Sequence, residues 1–115
     1  MKLLTSSYET HRSNITNLLN KLCPHGVGAE IGVKQGKFSK VLLSGWHGCK
    51  LHLIDPWEDQ DTSVYDENIH DHESDYQKTI DNLKGFSGRY ETIRQYSNDA
   101  HSHFAKNSLD FIYID

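Results

Sequence analysis

Residues Val27 to Ser39 read V-G-A-E-I-G-V-K-Q-G-K-F-S, and this stretch constrains the fold more than any other. A short strand pattern ends in Glu30, a turn runs from Gly32 to Gly36, and a helix pattern begins near Lys37. Glycines let a backbone turn sharply and approach a ligand closely. The unpaired N–H groups at a helix start then face that ligand. Strand, glycine turn and helix in this order are how an α/β sheet makes a nucleotide pocket. Twenty-five residues after Glu30, Leu51-His52-Leu53-Ile54-Asp55 reads as a second strand ending in an acid, placed to bind ribose hydroxyls.

The rest of the chain fits the same scheme. Residues 5–23 read as a helix, with Ile15, Leu18, Leu19 and Leu22 as its apolar stripe and Pro24-His25-Gly26 as its stop. Val27–Ile31 and Lys50–Ile54 are strands, and Lys37–Leu43 is the helix between them. A helix is predicted from Asp71 to Lys84, a strand over Tyr90–Arg94, a short helix over Asn98–Lys106 and a fourth strand over Leu109–Ile114. Strands that alternate with helices give a parallel sheet with helices on its faces. The expected fold is therefore a Rossmann-like α/β domain with strand order 3-2-1-4. Residues 1–24 form an N-terminal helical segment and 25–115 the domain. The fourth strand would be an uncovered edge, so the chain is expected to be the N-terminal part of a longer domain.

Size and composition exclude several classes. A chain of 115 residues holds one domain at most. It has no apolar stretch near the roughly 18 residues a membrane span needs. The start, Met1-Lys2-Leu3-Leu4, carries no export signal, and Cys23 and Cys49 have no metal spacing. A cytoplasmic protein with reduced thiols and no membrane partner is the expectation. From Asp55 to Asp75 there are nine acids and no Lys or Arg, leaving 12 basic and 7 acidic residues elsewhere. No basic block with interleaved aromatics appears, which argues against nucleic acid as a partner. The bare fourth strand invites pairing, so a homo-oligomer is possible.

The glycine turn allows two nucleotide readings. A dinucleotide fingerprint needs G-x-G-x-x-G after a strand, but Lys34 stands where its second glycine belongs. The other reading is E-x-G-x-x-x-G, formed by Glu30, Gly32 and Gly36. This resembles the first motif of the class I S-adenosylmethionine-dependent methyltransferases. Leu53-Ile54-Asp55-Pro56-Trp57 resembles their second motif, Ser97-Asn98-Asp99-Ala100 their third, and Leu109-Asp110-Phe111-Ile112-Tyr113-Ile114-Asp115 their fourth strand with its terminal acid. The combination is similar to the small O-methyltransferase branch and covers about residues 25–115.

The resemblance implies S-adenosyl-L-methionine as cofactor and a small-molecule methyl acceptor, most plausibly methylated on oxygen. It implies that Glu30 serves the amino acid end of the cofactor, that Asp55 takes the ribose diol, and that Asp99 faces the adenine amino group. Gly32 and Gly36 form the cofactor loop, and Trp57 is a candidate stacking partner for adenine. In some relatives the acid matching Asp115 holds a divalent metal, with partner carboxylates further along. No catalytic base is identified. The alternative is a truncated or partner-completed cofactor-binding module without activity of its own. Segment 56–70 is long for a connection in a compact α/β unit and reads as a lid or a solvated linker.

Overall fold

The structure, a computed structural model, describes residues 2–5, 9–58 and 71–115. Its strands are β1 (Lys2–Thr5), β2 (Val27–Ile31), β3 (Lys50–Ile54), β4 (Tyr90–Ile93) and β5 (Phe111–Ile114). Its helices are α1 (Glu9–Leu22), α2 (Lys37–Gly45), α3 (His72–Asn82) and the single turn α4 (Ser97–Ala100). The strands form one sheet in the order β1-β5-β2-β3-β4, and every pairing is parallel. The four strands expected from the sequence thus stand in the expected order 3-2-1-4, and the fold is a partial Rossmann-like one.

Each sheet face carries its own core. On one face Ile15 and Leu19 of α1 and Phe38, Leu42 and Leu43 of α2 pack with Leu51, Leu53, Phe111 and Tyr113 of the sheet. On the other face a smaller cluster of Ala29, Ile54, Ile93 and Ala100 lies beneath α4. Successive side chains of a strand point to opposite faces. Ala29 and Ile31 therefore face α4, whereas Glu30 faces α2.

The N-terminus differs from the expectation. Lys2–Thr5 is a strand, and its residues pair with Phe111 to Ile114 of β5. The edge expected to be bare is covered, and α1 begins at Glu9. Four residues carry too little pattern to announce a strand; the partner that makes them one lies more than a hundred residues along the chain.

The end of α2 is held from outside. Its last carbonyls lack intrahelical partners, and two side chains supply them. The Arg89 guanidinium donates to the carbonyls of Leu43 (2.8 Å), Trp46 (2.7 Å) and Gly48 (3.2 Å). The Asn20 amide donates to Gly45 O at 2.8 Å. This fixes α2, and with it the loop before it, against β3 and α1. Among the described residues no helix is long and apolar enough to cross a membrane.

Candidate functional site

All strands run the same way, so their carboxyl ends share one edge of the sheet. The chain reverses its direction of winding at β2, which has β3 on one side and β5 on the other. Ligands of open α/β sheets bind in the crevice at such a switch point. Here a groove of about 490 Å³ opens there. Ile31, Gly32 and Lys34 line it after β2, and Ile54, Asp55 and Pro56 after β3. Gln95, Tyr96 and Ser97 line it after β4, and Asp115 after β5.

Asp55 organises the groove floor. Its Oδ2 accepts the backbone N–H of Val33 and of Lys34, both at 2.9 Å, and its Oδ1 accepts the N–H of Trp57 at 2.8 Å. An ionised carboxylate has about four lone-pair sites. Three serve the two loops, which leaves one on Oδ1 for a ligand hydroxyl.

The glycine turn is strained and tightly held. Gly32 has φ 86°, and a Cβ there would come within 3.1 Å of Asp115 O, so a side chain would crowd the groove wall. Gly36 has φ 76°, and its Cβ would stand 3.0 Å from Thr79 Cγ2; this glycine lets α3 approach. Lys34 also adopts a left-handed conformation, φ 62°, where L-residues incur about 1–2 kcal/mol. The surrounding hydrogen bonds offset that cost. Lys34 O accepts the Trp57 indole N–H at 2.7 Å and the Thr79 hydroxyl at 2.9 Å. The Asn82 amide donates to Gln35 O at 2.8 Å.

Three residues read from the sequence as cofactor contacts, Glu30, Trp57 and Asp99, do not line the groove. Glu30 is 1% exposed, faces α2 and accepts the Ser39 hydroxyl at 2.5 Å. Trp57 is 3% exposed, with its ring edge on Tyr76 and its N–H on Lys34 O. It supports the turn from below. Asp99 is exposed in the first turn of α4 and lines neither the groove nor the pocket beside it. Asp55, Gly32 and Asp115 do converge on the groove, and Gly36 stands behind it.

Gln95 and Tyr96 were not singled out by the sequence, and Ser97 entered only as the first residue of the third motif. They lie where β4 runs into α4, with no glycine signature to mark them. Burial, and the carboxylates of Glu58 and Asp99, push the Tyr96 phenol above its ordinary value. The phenol hydrogen-bonds Glu58 across the connection after β3. Beside the groove lies an apolar pocket of about 260 Å³. Its walls include Ala29, Ala100, His101, Phe104 and Ile112, and it shares Ile31, Ile54 and Ser97 with the groove.

Asp115 stands on the groove wall, its N–H bonded to Ile31 O at 3.0 Å. Among the described residues no group of three or more His, Cys, Asp or Glu side chains could hold a metal ion. The metal that the resemblance implied for Asp115 finds no support here. Residues 59–70, most of the segment read as a lid, lie outside the described residues.

A family model described as a methyltransferase domain matches residues 29–115, which spans every element of the groove. The chain belongs to this family. It is a class I, S-adenosylmethionine-dependent methyltransferase domain, and the match begins at the strand that feeds the glycine turn. Among curated proteins none matches the chain. The groove of this methyltransferase domain fits its donor. One lysine faces two carboxylates, Asp55 and Asp115, a balance that suits a cationic sulfonium. The spare acceptor on Asp55 suits a ribose hydroxyl, and the apolar pocket alongside suits a purine.

Proposed function

We propose that the domain binds S-adenosylmethionine across the carboxyl ends of β2 and β3 and transfers its methyl group to an oxygen of a small molecule. The observation that carries this reading is the Asp55 carboxylate, which lies in the groove with one acceptor site left after binding three loop N–H groups. The oxygen acceptor rests on the likeness of A-E-I-G, L-I-D-P-W and L-D-F-I-Y-I-D to the O-methylating branch.

In this reading Asp55 orients the ribose and Gly32 admits the donor's backbone-facing side. The apolar pocket behind Ile31 and Ile54 takes the adenine, with Ser97 at its mouth. Glu30 and Trp57 act indirectly: Glu30 ties β2 to α2, and Trp57 holds Lys34. Gly36 lets α3 close on the turn. Asp115 faces the sulfonium end as a carboxylate.

The donor supplies a methyl group already activated on a sulfonium. The domain's own part is therefore orientation, worth roughly 7–11 kcal/mol where reacting atoms are well aligned. A second reading is donor binding without turnover. It is favoured by the makeup of the groove, where among the described residues no histidine lines the walls to remove an acceptor's proton.

Calorimetry with S-adenosylhomocysteine, followed by a methyl-transfer assay with a panel of small hydroxyl compounds, tests both. Binding with turnover supports the enzyme, and binding without turnover across the panel supports the module. Absence of binding overturns the two together.

A further inference from the structure

We infer that helix α3 tunes the domain's affinity for its methyl donor, with Thr79 and Asn82 as positioning residues that act through the backbone of Lys34 and Gln35. The inference rests on the reading of the groove given above. Asp75, Thr79 and Asn82 stand at i, i+4 and i+7, so they share one face of α3. That face meets the glycine turn and not solvent: Asp75 is 4% exposed and Thr79 fully buried. The Thr79 hydroxyl reaches Lys34 O at 2.9 Å, and the Asn82 amide reaches Gln35 O at 2.8 Å. The Gln35 amide reaches back to Asp75 Oδ1 at 2.8 Å. From the opposite side Asp55 holds the N–H groups of Val33 and Lys34. The run Val33 to Gln35, of which Lys34 lines the groove, is thus held at its N–H groups by the end of β3 and at its carbonyls by one face of α3.

Two details set this grip apart from ordinary packing. The Thr79 hydroxyl has one proton and two acceptors, Lys34 O at 2.9 Å and Asp75 O of its own helix at 3.0 Å. It can release the turn without leaving its proton unbonded. Asp75 Oδ2 is buried with no hydrogen-bond partner. A buried acceptor left unsatisfied costs stability, and an apolar side chain would pack α3 against the turn without that cost. The polar stripe therefore holds the turn in a particular shape at the expense of stability. The shape it holds is that of the turn through which Lys34 reaches the groove wall.

The test is calorimetric titration with S-adenosylhomocysteine of the parental chain and of Thr79→Val, Thr79→Ser and Asn82→Leu. Each is paired with a melting curve and amide exchange at Lys34 and Gly36. Valine keeps the methyl packed near Gly36 and removes the hydroxyl, whereas serine restores it. The expected result is parental affinity in Thr79→Ser and about five- to tenfold weaker binding in Thr79→Val and Asn82→Leu, the worth of one hydrogen bond. In those two, the Lys34 and Gly36 amides should exchange faster relative to those of β2.

Equal affinity in all folded variants, or equal loss in Thr79→Ser and Thr79→Val, overturns the inference while leaving the donor reading intact. Should one apolar variant not fold, the other decides. No binding by the parental chain overturns the donor reading itself, and shows before any variant is compared.

Discussion

The Ser39 hydroxyl donates to Glu30 Oε2 at 2.5 Å, and neither residue reaches solvent. This bond joins the middle of the glycine-turn strand to the first turn of α2. Ser39→Ala removes a hydrogen bond to a buried carboxylate and should destabilise the fold by about 1–3 kcal/mol. Glu30→Gln keeps an acceptor for Ser39 and should be milder. Denaturant unfolding of the two variants checks the order; a larger loss in Glu30→Gln would contradict it.

Asp55 is the other acid at the turn, and its work differs. Asp55→Asn keeps the shape but replaces one carboxylate oxygen with an NH₂ group, which cannot accept the N–H groups that now point at it. The variant should lose about 1–3 kcal/mol of stability and most of its donor affinity. The melting temperature and a titration with S-adenosylhomocysteine read the two effects separately. Full affinity in a folded Asp55→Asn would remove Asp55 from the binding site.

The sequence marks Asp55 and Glu30 alike, as acids at or near strand ends, and cannot tell their jobs apart. Side-chain direction decides: Glu30 lies on the α2 face of β2, whereas Asp55 follows the last residue of β3 and turns into the groove. Strands Val27–Ile31 and Lys50–Ile54 were legible residue for residue, because short segments rich in apolar residues stop at Gly32 in one case and at Asp55-Pro56 in the other. Trp57 was harder. Its backbone φ of 45° sends the ring beneath Lys34, and no pattern in L-I-D-P-W announces a left-handed residue. The stripe of Asp75, Thr79 and Asn82 has helical spacing but reads as a solvent face, since only the fold brings the glycine turn against it.

The two glycine types in and beyond the turn give a paired control. Gly36→Ala places a Cβ 3.0 Å from Thr79 Cγ2 and 3.3 Å from Thr79 Cα in a left-handed conformation. It should cost at least the roughly 1–2 kcal/mol of left-handed strain. At Gly85 a Cβ meets nothing within 4 Å, and Gly85→Ala should stay within about 0.5 kcal/mol of the parent. Thermal unfolding of both variants checks the contrast; equal effects would contradict the close approach of α3.

Stability should also fall in mild acid, and His52 is the reason. Burial lowers its pKa from the ordinary 6.5; Glu91 pulls it back up, while Lys50 and His103 push it further down. The folded state therefore holds His52 neutral more firmly than the unfolded state does. Its contribution is complete above pH 6.5 and drains away as the pH falls through the lowered value. Glu73, lowered from 4.5 chiefly by its hydrogen bond with Arg94, adds a loss that begins only in stronger acid. Replacing His52 with Leu should flatten the first step and leave the second. Unfolding curves between pH 7 and pH 2 read both, and an unchanged first step in His52→Leu would assign it elsewhere.

The central claim is that the donor lies in the groove between Gly32, Asp55 and Ser97. An NMR titration of the labelled chain with S-adenosylhomocysteine tests it most directly. The account requires saturable shifts concentrated at the amides of Gly32, Lys34, Asp55 and Ser97. Shifts that cluster instead around His52, Glu91 and His103, with Gly32 and Asp55 unmoved, would contradict it, and so would no saturable shift at all.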